Sequence, residues 1–195
     1  ARYNLQEAEK NGVKLGVYFF STAISQEEAV EEADWTADFI AQYPITYPVV
    51  YDCEGFTDMD SRQYGMSKAE RTDIALAFLK RIEQRGYEGM FYAAKNELQD
   101  ETLWETSRIE KHYKIWVAQF PGDADPAVHT SSYTGEHQMW QYTMEGSVPG
   151  ISQPVDMNVA YFGYDGVEKP KDETPPEEAF PDVEALMDFT QVNEE

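Results

Sequence analysis

The sequence predicts an α/β fold, a sheet or barrel of parallel strands, on three observations. Six segments have the β-branched and aromatic content of strands, and capped helical stripes separate the first of them. The later segments are joined by loops rich in Gly, Pro, Ser and Asp, with no convincing helix between them. Early alternation of strand and helix implies parallel strands linked by right-handed crossovers. At 195 residues and 42% hydrophobic content, the chain suits one domain with a real core.

Taken in order, residues 13–20 (VKLGVYFF) read as the first strand. Ser25, with Glu28 three residues on, has capping-box spacing, and Ala29, Ala33, Ala37 and Ile40 recur at helical intervals up to Tyr43. Residues 47–53 (YPVVYDC) are the second strand. Ser67 and Glu70 repeat the capping-box spacing. Behind them Ile74, Phe78 and Ile82, with Ala75 and Leu79 beside them, form an apolar stripe that ends near Gly86. Residues 87–94 are the third strand, and 96–112 are mixed helical sequence without a clean period. Residues 113–120, 137–143 and 155–161 complete the six, and no internal repeat is visible.

From residue 165 the composition turns acidic and proline-containing, with 11 Asp and Glu against two Lys. This divides the chain into a domain over 1–164 and a tail or linker over 165–195, in which Phe180, Val183, Leu186 and Met187 have the spacing of a short amphipathic helix.

The formal charge of −22 makes nucleic acid or an anionic membrane surface an unfavourable partner, because both repel it. No run of 18 apolar residues offers a membrane span, and residues 1–12 contain no apolar signal core. Cys53 is the only cysteine, so an intrachain disulfide framework is excluded.

The chemistry concentrates in YPVVYDCEGF, residues 47–56. Along a strand, side chains alternate between faces, so Asp52 and Glu54 point one way while Tyr51 and Cys53 point the other. Clustered carboxylates suit metal ligation or glycoside hydrolysis. The following loop does not reproduce an EF-hand, and His112, His129 and His137 lack zinc-ligand spacing, so no metal or other cofactor is expected. Sugar cleavage needs one carboxyl kept protonated near neutral pH, and a second charge nearby raises its pKa. A D-x-E pair also occurs as a helix N-cap or in a surface loop that binds nothing. Here aromatic residues crowd the other strands: Tyr18, Phe20, Tyr92, Trp116, Phe120, Trp140 and Tyr142, while Asp156 opens the last. In an α/β barrel the strand ends converge on one site. Sugar rings stack on such aromatics, although each ring taken singly also suits a core.

Four stretches in order, GVKLGVYFFSTA (12–23), YPVVYDCE (47–54), GYEGMFYAAKNEL (86–98) and IWVAQF followed by MWQYTMEGSVPGISQPVDMN (115–120, 139–158), resemble the family 25 glycoside hydrolases, the Chalaropsis-type lysozymes. The resemblance runs from residue 1 to about 164 and implies an irregular β/α (TIM-like) barrel with few helices in its C-terminal part. It implies cleavage of the β-1,4 bond between N-acetylmuramic acid and N-acetylglucosamine in bacterial peptidoglycan, outside the cell or at its wall. Glu54 would then be the general acid and Asp52 its carboxylate partner, charged or orienting the substrate's 2-acetamido group. Asp156 would be the last active-site acid. Tyr18 and Tyr92 would line the groove with Phe20, and Trp116 and Trp140 lie in matching motifs. Family members open with a strand ending in Asp, in a pattern like G-[IV]-D-[VI]-S, which this sequence does not contain. Six strands fall short of the eight of a closed barrel. The domain is therefore expected to be N-terminally incomplete, with open sheet edges and weakened activity on its own. A wall-binding module without turnover, a chitin-type hydrolase and a purely structural protein are the competing readings.

Overall fold

The computed structural model describes residues 1–99, 102–122, 126 and 129–162. The predicted tail, its amphipathic helix and the boundary at 164 lie outside the described residues. The elements run α1 (Arg2–Lys10), β1 (Leu15–Phe20), α2 (Gln26–Ile40), β2 (Ile45–Asp52), α3 (Lys68–Gln84), β3 (Gly89–Ala94), α4 (Lys95–Gln99), α5 (Thr106–Ile109), β4 (Lys114–Ala118), β5 (Met139–Gly146) and β6 (Val155–Ala160). All six predicted strands are present, in one sheet of order β1-β2-β3-β4-β5-β6. The unperiodic stretch 96–112 resolves into two helices of five and four residues, too short to carry a period. No described helix is long and apolar enough to cross a membrane.

Strands β1 to β5 pair in parallel, as the alternation predicts, whereas β6 runs antiparallel to β5. A loop of eight residues, 147–154, returns the chain directly, and so short a link permits only a hairpin. Among the described residues the sheet stays open, with β1 and β6 as its edges. It is nevertheless curled into a half-barrel. The Phe162 ring, just past β6, lies 5.1 Å from that of Tyr47 on β2, and Lys114 Nζ stands 5.4 Å from the same ring.

The two faces of the sheet have different tasks. Tyr51, Phe91, Ile115 and Val117 lie on the face covered by α2 and α3, where Ala29, Ala33, Ile74, Phe78 and Ile82 complete a core of almost wholly buried side chains. Phe78 packs its ring against Phe19 and Tyr51, at centroid distances of 5.9 and 5.3 Å. Arg81 of α3 and Arg85, the residue just after that helix, both reach Asp34 of α2 at 2.7 Å, and Arg85 also pairs with Asp38, so the two helices are clamped outside the apolar seam. This layer leaves the opposite face of the sheet for the site.

Candidate active site

Asp52 is the last residue of β2, and its in-register partners are Phe20 on β1 and Tyr92 on β3; Tyr92 in turn pairs with Trp116 on β4. Side chains in register on parallel neighbours share a face, so Phe20, Asp52, Tyr92 and Trp116 form one row across the concave side. Gly55 follows Glu54 with φ of +67°, a left-handed conformation that glycine takes without steric cost. The strand therefore turns sharply once both acids have been presented.

The two carboxyls sit in different environments. Glu54 is exposed, whereas Asp52 is only 6% exposed, and its Oδ1 has no hydrogen-bond partner among the described residues. Burial, then the Glu54 charge and a hydrogen bond shared with it, then the Glu97 charge, push the Asp52 carboxyl up to about 8. Asp52 is the deeper of the two carboxyls, and its surroundings favour its protonated form. Glu97, half-buried on α4, is a further acid, beyond Asp52, Glu54 and Asp156, that the sequence did not single out; burial raises its pKa first, with the Glu54 charge adding to the rise. Nothing in the unperiodic stretch around it signals this position.

Tyr92 stands among these charges. Burial first, then Glu54, Asp52, Asp156 and Glu97, holds its phenol above the ordinary tyrosine range. Its hydroxyl donates to Gln141 Oε1 at 2.9 Å, and the Trp116 ring meets it edge-on at 5.0 Å. Trp116 Nε1 donates to Asn158 Oδ1 at 3.0 Å.

Two open cavities meet at Glu54. The larger, about 580 Å³, is bounded by Glu54, Tyr92, Gln141, Phe120 and Asp156 among others; the smaller, about 330 Å³, lies against Phe20, Asp58 and Arg62. Asp156 reaches this mouth from the start of its strand because β6 is antiparallel, which brings that start level with the ends of β1 to β5. Asp52, Glu54, Asp156, Tyr92 and Phe20 are therefore brought together, with Trp116 behind Tyr92.

Tyr18, two residues before Phe20 on β1, is exposed on the same face of the sheet but borders neither of these two cavities. One predicted groove residue lies elsewhere. Trp140 pairs with Val117 on the helix-covered face, is fully buried and donates from Nε1 to the Gln119 carbonyl at 2.9 Å, so it offers no face to a sugar. Gln141, one residue on, takes the cleft position; a one-residue shift in a strand changes the face. Cys53 packs behind the strand as expected: burial pushes its thiol up to about 12, and Sγ donates to Gln63 Oε1 at 3.1 Å.

The profile described as Glycosyl hydrolases family 25 matches residues 1–151. No curated protein matches the chain. Among solved structures, the modular autolysin LytC of Streptococcus pneumoniae is 25% identical with a TM-score of 0.65; the match covers 80% of this chain and 36% of LytC. The same autolysin in complex with a synthetic peptidoglycan ligand matches at 24% identity and TM-score 0.65, over 80% of this chain and 36% of that one. The spore cortex lytic enzyme SleM of Clostridium perfringens follows at 20% identity and TM-score 0.64, covering 85% of this chain and 55% of SleM. The bacterial lysozyme of Streptomyces coelicolor matches at 21% identity and TM-score 0.60, over 84% of this chain and 75% of that enzyme. The chain thus spans between about a third and just over half of the first two proteins.

Proposed function

The chain belongs to glycosyl hydrolases family 25, and from that premise we propose that it is a peptidoglycan hydrolase cutting the β-1,4 bond between N-acetylmuramic acid and N-acetylglucosamine. The observation that carries the reading is the acid pair at the end of β2, an exposed Glu54 that borders both cavities with the buried Asp52 two residues before it. A glycan strand laid through both cavities puts a glycosidic oxygen over Glu54. The acetamido N–H of the sugar before that bond then donates to Asp52. Asp52 becomes an acceptor, and its proton passes to Glu54.

Glu54 gives this proton to the leaving oxygen as the C1–O bond breaks, and the acetamido oxygen bonds to C1 in its place. Water then adds to C1, its proton returns to the Glu54 carboxylate, and the acetamido group is released. Asp156 and Tyr92 border the larger cavity and hold sugar hydroxyls, while Phe20 and Phe120 offer apolar ring faces. Peptidoglycan strands are the proposed partner, and the wall or its surroundings the proposed location. The LytC complex with a synthetic peptidoglycan ligand supports this choice of substrate by analogy. Mass spectrometry of borohydride-reduced products from purified peptidoglycan tests the bond: the reading expects muramitol ends, and glucosaminitol ends alone would refute it.

A further inference from the structure

We propose that Lys95 selects the substrate of the larger cavity, its ammonium binding a carboxylate that muramic-acid glycans carry and plain N-acetylglucosamine polymers lack. The inference rests on the muramidase reading above. Lys95 directly follows β3 and borders the same cavity as Glu54 and Asp156. Those two acids repel any anionic sugar that enters, and Lys95 is the one cation among the described residues lining this cavity. A neutral glycan needs no such counter-charge.

The ammonium is held in place by a network tied into the core. Lys95 Nζ donates to Ser132 Oγ at 2.6 Å, and that oxygen also accepts from Gln119 Nε2 at 2.8 Å. Gln119 Oε1 accepts from the Ser132 backbone N–H at 2.8 Å and from Ser131 Oγ at 2.7 Å. The Gln119 carbonyl is fixed by the buried Trp140. An ammonium has three N–H donors, and Ser132 takes one. Among the described residues no carboxylate lies within ion-pair distance of Nζ, whereas Arg62 at the smaller cavity is already paired with Glu28 at 3.0 Å. Among the described residues Lys95 is therefore a positioned cation with donors to spare in an otherwise acidic cavity, and a charge-assisted bond to a carboxylate fills them.

Two carboxylates fit, the lactyl group of peptide-free muramic acid and those of an attached stem peptide. The test is calorimetric binding to the full chain carrying Glu54→Gln, which prevents turnover. Three ligands are compared: a peptide-free tetrasaccharide of alternating N-acetylglucosamine and N-acetylmuramic acid, its peptide-bearing counterpart, and the N-acetylglucosamine tetramer. Adding Lys95→Met should weaken one or both muramic-acid ligands about tenfold, a charge-assisted contact's worth, and leave the neutral tetramer within about twofold. Loss confined to the peptide-bearing ligand assigns the carboxylate to the stem, and loss confined to the peptide-free ligand assigns it to the lactyl group, whose carboxyl becomes an amide once a stem is attached; loss on both shows that the ammonium takes either carboxylate. Lys95→Arg should restore the preference, which a merely structural role would not predict. Equal weakening of all three ligands, or of none, overturns the assignment alone. A protein that binds none of the three overturns the muramidase reading with it.

Discussion

Asp52 keeps its proton because its surroundings leave it little alternative: the carboxyl is buried, one oxygen has no partner, and Glu54 and Glu97 add negative charge. Its pKa is raised from the ordinary carboxylate value to about 8 on folding. Between those limits the folded state binds more protons than the unfolded one, so this contribution to stability is full below about pH 4 and is lost as pH rises through about 8. Asp52→Asn cannot ionise. Thermal melts should therefore show the variant close to the parent at pH 4 and several degrees more stable at pH 9; equal differences at both pH values would contradict the buried proton. That the two acids share a face was legible from the alternation of a strand. How deeply Asp52 is buried was not, since that depends on chain far away in sequence, as does the Glu97 charge on α4 that adds to its shift. Trp140 failed for a related reason: composition marks a strand but does not say which face a given ring takes.

At the scale of elements the signals were local and strong where helices are long. Ser67 and Glu70 form the complete capping box that their spacing suggests, with Ser67 Oγ accepting from the Glu70 N–H and Glu70 Oε2 accepting from the Ser67 N–H. At α2 only half of the box closes. Ser25 accepts from the Glu28 N–H, but the Glu28 carboxylate turns to the Ile24 N–H and Arg62. Ser67→Ala should cost about 1 kcal/mol in urea unfolding through the lost cap. Phe78→Ala should cost about 3–5 kcal/mol, because its ring fills the seam between α3 and the sheet. A smaller loss at Phe78 than at Ser67 would contradict this core assignment. The reversal of β6 had no such signal, because a strand pattern carries no direction. Only the short link before it separates a hairpin from a crossover.

For the whole molecule, the strand count, the α/β class and, through the family resemblance, the barrel-like curl followed from the sequence, and the reversal of β6 did not. The cleft exists because the concave row Phe20, Asp52, Tyr92, Trp116 is left uncovered while the convex face is packed by α2 and α3, and because the inverted β6 delivers Asp156 to the same mouth. Every element of the proposed chemistry passes through Glu54, where the two cavities join. The most direct test is the rate at which this chain and its Glu54→Gln variant release muramic-acid reducing ends from purified peptidoglycan near pH 6. A positioned general acid contributes about 10²–10⁴-fold, so the account predicts measurable release by the parent and a loss of at least about 100-fold in the variant. Release that survives Glu54→Gln within a few-fold, or a parent that releases none, would contradict it.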